Sequence, residues 1–315
     1  MGVVRFDSNR FRTYNDPIVR QFNRGGKPQG GIVIIRRNKE PFPKGYTAVT
    51  EIDGEHRDML MDFGILKLAP GDSYTNSDDK ERAYLLMTGN LRFEWEAGER
   101  EETAEVLRTT LLDEEPTALH VPAGAKVTLT ALDRETEIAV QGVKNDRSFA
   151  PKLWQPGEYR AERFGEGTLQ DTSTRTVRTI FDAADSPDYG MVLGEVINHA
   201  GKWSSYPPHD HAQPEVYHYR FFPEQGWGHA ERENEVFQVR NYDSYAIPPG
   251  KTHSQCAAPG YTMYYIWMIP HLPGDRFGPD SRIFRKEHTW VMNSDAPIWP
   301  DADLKTVLEY QKKLK

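Results

Sequence analysis

Between residues 60 and 145 the apolar positions come in short runs or alternate with polar ones, as in MDFGILKLA, RAYLLM, LRFEWE, ALHVP and EIAVQGV, with clusters of Gly, Asp, Asn and Pro between them. Such a pattern predicts β-strands, because alternate side chains of a strand face opposite sides of a sheet. A second set follows residue 175: TVRTIF, GMVLGEVINH, EVYHYRFF, ENEVFQVR, DSYAIPPG and YTMYYIWMI. Many short strands at this spacing predict an all-β sandwich or barrel, formed twice. The polar stretch 146–174 reads as a linker or crossing arm. Only the tail, PDADLKTVLEYQKKLK, has helical spacing, with Leu304, Val307 and Leu308 on one face and a cationic last turn. The predicted organisation is an arm over 1–50, a first β unit over 51–150, a linker over 151–175, a second β unit over 176–295 and a helical tail over 296–315.

Aligning the punctuation of the two β units reveals an internal repeat. The second contains His209-Asp-His211, then Glu215, then Pro248-Pro-Gly250-Lys-Thr-His253. The first contains Tyr74-Thr-Asn76, then Glu81, then Pro122-Ala-Gly124-Ala-Lys-Val127. The second set matches the two-part cupin signature, HxH(x3–4)E followed by PxGxxH. The chain is therefore expected to be a bicupin, two double-stranded β-helix (jelly-roll) barrels with a short C-terminal helix. Val127 stands where His253 stands, so the first barrel is expected to hold no metal.

The spacing of the second set has a geometric reason. Residues i and i+2 of a strand share a face, which projects His209 and His211 together and turns Asp210 away. A turn at Gln213-Pro214 can return Glu215 beside them, and the turn at Pro248 and Gly250 delivers His253. Three imidazoles and a carboxylate suit one divalent ion such as Zn, Mn or Fe while leaving positions open for substrate. Eight of the ten histidines lie between His199 and His288, which agrees with a single working site; His199, His229 and His271 read as ordinary core or surface residues.

Composition narrows the partners. The 315 residues carry a net charge of −8, which provides no electrostatic footprint for nucleic acid. No apolar run approaches the roughly 20 residues that cross a bilayer, and the first residues lack a signal-peptide core, so a cytoplasmic protein that does not engage membranes is expected. The single cysteine, Cys256, can form no internal disulfide. No Gly-rich phosphate loop or GxSxG elbow occurs. A small molecule is the expected partner.

The run NHAGKWSSYPPHDH, followed by EVYHYRF, PPGKTH and AAPGYTMYYIWM, resembles the 5-deoxy-glucuronate isomerase family of inositol catabolism. That family is related to the 5-keto-4-deoxyuronate isomerases. The resemblance covers about residues 55–295 and is densest over 194–268, where KWSSYPPH and APGYxxYY are specific strings. It implies a bicupin with a metal in the C-terminal barrel, held by His209, His211, Glu215 and His253. Departures occur at Asp210-His211-Ala212, where the family usually has Lys-His-Asp, and at Tyr217-His218-Tyr219-Arg220, where it usually has Tyr-Tyr-His-Arg. Ser254 follows His253 where a proline is more usual. These differences touch the pocket lining rather than the ligands.

An aldose–ketose isomerase acting on a deoxy-uronate through an enediolate is the leading reading. A 5-keto-4-deoxyuronate-type isomerase, an Fe-dependent cupin dioxygenase and a non-catalytic sugar-acid-binding bicupin are the alternatives. If Glu215 begins a strand, Tyr217 and Tyr219 share its face while His218 and Arg220 point away, which makes Tyr217 a candidate for proton relay. Tyr206, Tyr265 and Lys202 are further candidates, Lys202 for a substrate carboxylate. Exposed β edges and the resemblance favour a homo-oligomer.

Overall fold

The computed structural model describes residues 33–314; the greater part of the predicted arm, residues 1–32, lies outside them. Among the described residues the chain forms twenty-one strands. The first ten are β1 (Ile34–Ile35), β2 (Gly45–Thr50), β3 (Asp62–Leu68), β4 (Ser73–Asn76), β5 (Glu81–Ala97), β6 (Arg100–Arg108), β7 (Ala118–Val121), β8 (Val127–Ala131), β9 (Thr136–Val143) and β10 (Lys152–Trp154). The rest are β11 (Arg160–Phe164), β12 (Arg175–Phe181), β13 (Met191–Asn198), β14 (Trp203–Asp210), β15 (Glu215–Phe222), β16 (Trp227–Arg232), β17 (Glu235–Arg240), β18 (Ser244–Ile247), β19 (His253–Ala257), β20 (Thr262–Pro270) and β21 (Ile283–Phe284). One helix, α1 (Leu304–Lys313), closes the chain, its first turn capped by Asp303 Oδ1 accepting from the Thr306 amide at 2.8 Å.

The strands build two antiparallel barrels. The N-terminal one curls from β10-β7-β5-β9-β3-β2, with β4, β6 and β8 closing it. In the C-terminal one a seven-stranded sheet, β1-β18-β15-β20-β13-β12-β11, faces a five-stranded sheet, β17-β16-β19-β14-β21. The segments expected as arm and linker contribute strands to both. β1 pairs with β18 and β2 with β3, while β10 pairs with β7 and β11 with β12. RAYLLM and LRFEWE, read as separate runs, form the single strand β5. Gly89 lets the strand bend there, since it adopts φ 129° and a Cβ would press within 2.6 Å of Thr136.

Apolar residues on the outer faces of the two large sheets form one shared core. Phe63, Ile65, Leu85 and Met87 from the first barrel pack with Met191, Leu193, Val216 and Met268 from the second. The interior of the first barrel is filled by Leu66, Tyr84, Leu86, Phe93, Leu129 and Ile138. A charged cluster crosses between the barrels: Glu195 on β13 receives hydrogen bonds from Arg108 on β6, Arg178 on β12 and Tyr264 on β20.

The repeat is real, but its register differs from the one expected. The Gly250 amide donates to the His211 carbonyl at 2.8 Å, and the Gly124 amide donates to the Asp78 carbonyl at the same distance. His209 pairs with His253 across the sheet, and Asn76 pairs with Val127. Asn76, Asp78 and Arg82 therefore occupy the places of His209, His211 and Glu215, and Tyr74 and Glu81 do not belong to the set. A one-residue slip exchanges the faces of a strand. Glu81 accordingly points out of the barrel, with Oε1 2.8 Å from His120 Nε2 and Oε2 accepting from the Gly190 amide at 2.7 Å. Arg82 points inward and donates to the Asn76 side chain and the Ala125 carbonyl. A fixed guanidinium thus fills the place where the second barrel has a carboxylate.

Candidate metal centre and its cavity

The ligand candidates are assembled by an irregular strand. The β14–β19 register passes from Ser204 opposite Gln255 to His209 opposite His253, so extra residues bulge out between them. Ser205 takes φ 53° there, and Pro207 and Pro208 have no amide to place in the ladder. The bulge pushes Ser205, Tyr206 and Pro207 into the wall of a cavity. His211 lies just past the end of β14 and is tied to the Pro-Gly turn by the Gly250 amide. Gly250 has φ 67°, a conformation that costs glycine little.

Three predicted ligands converge. Donor atoms of His211, Glu215 and His253 all lie within 4.8 Å of one another. His211 Nε2 and His253 Nε2 each stand 3.2 Å from Glu215 Oε2. His209 lies beside this trio rather than in it. Its ring centroid is 4.6 Å from that of His253 but 6.3 Å from that of His211, because the strand ends between residues 209 and 211 and their strict alternation is lost. All four side chains are buried.

The hydrogen bonds fix what the imidazoles can do. His253 Nδ1 is 2.9 Å from the Lys251 carbonyl and His209 Nδ1 is 3.2 Å from the Pro207 carbonyl. A carbonyl only accepts, so each Nδ1 carries the proton and each Nε2 keeps a free lone pair. His253 Nε2 has no hydrogen-bond partner although it faces the Glu215 carboxylate. A lone pair and a carboxylate oxygen at that distance repel unless a cation joins them. Two donors each roughly 2.1 Å from one ion lie about 3.0–3.4 Å apart, so the residues fit a divalent metal, and imidazole N–H groups donated to carbonyls are its usual support.

Electrostatics agree with the geometry. Burial works to raise the Glu215 carboxyl, but positive charge on the His211 and His253 side outweighs it and holds the group well below the ordinary carboxylate range, whether protons on those rings or a cation between them supplies that charge. His209 is kept neutral, first by burial and then by His253 and Arg282 nearby. Tyr217 follows Glu215 on the same face of β15, as strand alternation requires, and its hydroxyl donates to Glu215 Oε2 at 3.1 Å. Ser205 Oγ lies 3.1 Å from that hydroxyl. Burial and the adjoining carboxylate push the Tyr217 phenol well above its ordinary value, so it remains protonated. His218 and Arg220 point away: His218 packs on Phe42 and Phe63, and Arg220 pairs with Glu137 at 3.0 Å.

These groups open onto a cavity of about 460 Å³. Tyr206 and Tyr265 line it, as does Tyr217. Lys202 does not. It sits in the turn before β14, its carbonyl accepting from Asn198 and Ala257, seven residues before His209 on a strand that rises about 3.3 Å per residue. The cations in the wall are instead Arg160, Arg175 and Arg282, none of which was picked out from the sequence. Arg175 shares an inward face of β12 with Val177 and Thr179, so a charge at an alternating inward position was its available signal. Arg282 lies in an irregular segment with no such periodicity.

Comparison with known proteins places this architecture. The KduI/IolB family profile matches residues 34–291. Two similar proteins are 5-deoxy-glucuronate isomerases, one from Bacillus licheniformis, 27% identical over 71% of this chain and 86% of its own, and one from Geobacillus kaustophilus, 27% identical over 74% and 86%. The crystal structure of an IolB-like protein from Salmonella typhimurium superposes with a TM-score of 0.68 at 20% identity, covering 84% of this chain and all of that one. A Lactobacillus farciminis oxalate decarboxylase superposes with a TM-score of 0.63 at 13% identity, covering 90% and 97%, and shares the fold.

Proposed function

The chain belongs to the KduI/IolB family, and we propose that it is a metal-dependent sugar-acid isomerase that converts an aldose to a ketose on a deoxy-uronate such as 5-deoxy-glucuronate. The observation that carries this reading is the convergence of His211 Nε2 and His253 Nε2 on Glu215 Oε2, with His211 and Glu215 in the wall of a cavity large enough for a six-carbon acid. The names of the similar isomerases supply the substrate class.

His211, Glu215 and His253 would hold the ion, with His209 beside them as the fourth ligand. When bound, a divalent ion supplies Lewis acidity toward neighbouring carbonyl and hydroxyl oxygens, which favours an enediolate on the path between aldose and ketose. The chain's own groups do the rest. Glu215 keeps its negative charge at the centre and orients the Tyr217 hydroxyl through the 3.1 Å hydrogen bond. Tyr217, held between Glu215 and Ser205, passes a proton to and from a substrate oxygen through its Oη. Ser204 fixes Tyr265 in the wall through a 2.6 Å hydroxyl contact, and Tyr206 closes the side formed by the bulge.

Metal analysis of the purified protein, combined with an NMR assay on 5-deoxy-glucuronate and 4-deoxy-5-keto-uronate, tests the proposal. About one divalent ion per chain and conversion without oxygen uptake are expected, since Arg82 fills the corresponding place in the first barrel. A metal-free protein that turns over, or oxygen consumption during conversion, would overturn the reading. The homo-oligomer suggested by family resemblance is checked on the same sample by light scattering.

A further inference from the structure

A sugar acid differs from the parent sugar in one respect that a pocket can read at full strength, its carboxylate. A cation partly withdrawn from water without an anionic partner is costly, so where one is found in a cavity wall its missing partner is a candidate for the ligand. Arg175 on β12 meets this description. Its Nη1 donates to the Ser173 carbonyl at 2.8 Å and lies 3.0 Å from Ser173 Oγ, both uncharged acceptors. Among the described residues no carboxylate lies within ion-pair distance of it. The acids lining the same cavity are otherwise placed: Asp182 pairs with Arg160, Glu215 sits among the histidines, and Glu162 is exposed on β11 opposite Val177.

A second cation converges on the same region. Arg282 lines the cavity, with its guanidinium 5.1 Å from the centroid of the Phe277 ring, and among the described residues it too has no carboxylate partner. The two guanidiniums feel each other. Burial, with Arg282 adding to it, holds Arg175 below its ordinary value against the opposing influence of Tyr265. Two cations thus line one cavity, and among the described residues neither has a carboxylate partner. An anion entering there relieves both.

We propose that Arg175 and Arg282 form the subsite that binds the carboxylate of the sugar-acid substrate and so aims its opposite, carbonyl-bearing end at the His211, Glu215 and His253 cluster. The inference rests on the isomerase reading and deepens it by assigning substrate orientation and the selection of an acid over a neutral sugar. In a uronate the carboxylate and the carbons that exchange oxidation level occupy opposite ends of one six-carbon chain. Anchoring one end therefore positions the other. The planar fork of arginine suits a carboxylate better than the ammonium of a lysine would, because it can donate two parallel hydrogen bonds.

The test compares D-glucuronate with D-glucuronamide, which keeps the shape and removes the charge, by calorimetry on the metal-loaded protein. The wild type is expected to bind the acid roughly 10- to 100-fold tighter than the amide, and Arg175→Met to lose most of that preference while retaining its metal content and thermal midpoint. Arg282→Met is expected to reduce the preference as well, and Arg175→Lys to restore part of it. In turnover of the sugar acid, Arg175→Met should raise KM far more than it lowers kcat. A wild type that binds acid and amide equally, or an Arg175→Met protein that keeps the discrimination, overturns the subsite. Acid-selective binding that depends on Arg175 but is never followed by isomerisation upholds the subsite and refutes the isomerase reading instead.

Discussion

Removing the carboxylate of Glu195 tests the account of how the two barrels are joined. Glu195 Oε1 accepts from Arg108 at 2.9 Å and from Arg178 at 2.6 Å, and Oε2 accepts from Arg108 at 3.1 Å and from the Tyr264 hydroxyl at 2.7 Å. Arg108 and Glu195 are 1% and 0% exposed at the side chain, and Arg178 only 8%. The cluster carries two positive charges and one negative, so Glu195→Gln leaves two buried guanidiniums facing each other across the barrel interface. Arg108 keeps its Nη bonds to the Leu86, Leu111 and Glu114 carbonyls, which hold the guanidinium in place without neutralising it. Breaking a buried charge pair by deleting one partner costs about 3–5 kcal/mol. For a chain of this size that lowers the thermal midpoint by roughly 5–15 °C. The assay is urea and thermal unfolding followed by circular dichroism. The triple variant Arg108→Met, Arg178→Met, Glu195→Leu removes every charge and should recover most of the loss, since a well-packed apolar set of similar volume is often as stable as the ions it replaces. A Glu195→Gln protein within about 1 kcal/mol of the wild type would refute the reasoning, because that is the scale of a solvated surface pair.

Three further outcomes are expected. His253→Ala should lower bound metal well below one ion per chain, measured by elemental analysis, while the far-ultraviolet spectrum stays unchanged; full retention of metal would remove His253 from the centre. Tyr217→Phe should lower kcat by about 10²- to 10⁴-fold with the metal retained, the range for loss of a group that moves a proton, and unaltered kcat would assign Tyr217 to packing alone. His271 accepts from the Phe277 amide at 3.1 Å through Nδ1, and burial, with Arg276 adding to it, lowers its value to about 4. The unfolded chain binds that proton at about pH 6.5, so the contribution of His271 is whole above that pH and is lost as pH falls through the folded value. Thermal midpoints measured between about pH 4 and 7 should therefore fall more steeply on acidification for the wild type than for His271→Gln, and equal slopes would contradict this.

Much of this was legible in the residues themselves. Strand alternation is a local property, so the β runs and the shared inward face of Glu215 and Tyr217 follow from sequence period alone, as the helix at Leu304–Lys313 follows from its own. The two-part histidine pattern likewise identifies its own cluster, since the Pro248 to Gly250 turn and the HxH segment carry the information that brings them together. The KduI/IolB membership agrees with the resemblance read from KWSSYPPH and APGYxxYY.

What tertiary structure decided depends on register between distant segments. Glu81 and Arg82 are adjacent in sequence, and only the pairing of Asn76 with Val127 shows that the arginine, not the glutamate, faces the first barrel's interior. Lys202 was a reasonable candidate for an anion until folding set it in the turn before β14, outside the cavity, and Arg175 and Arg282 became candidates only when folding left them there without a counter-charge. The reason is the same in each case: a side chain's period fixes which neighbours share its face, whereas burial, charge balance and what lies across a cavity are properties of contacts made between residues far apart in the chain.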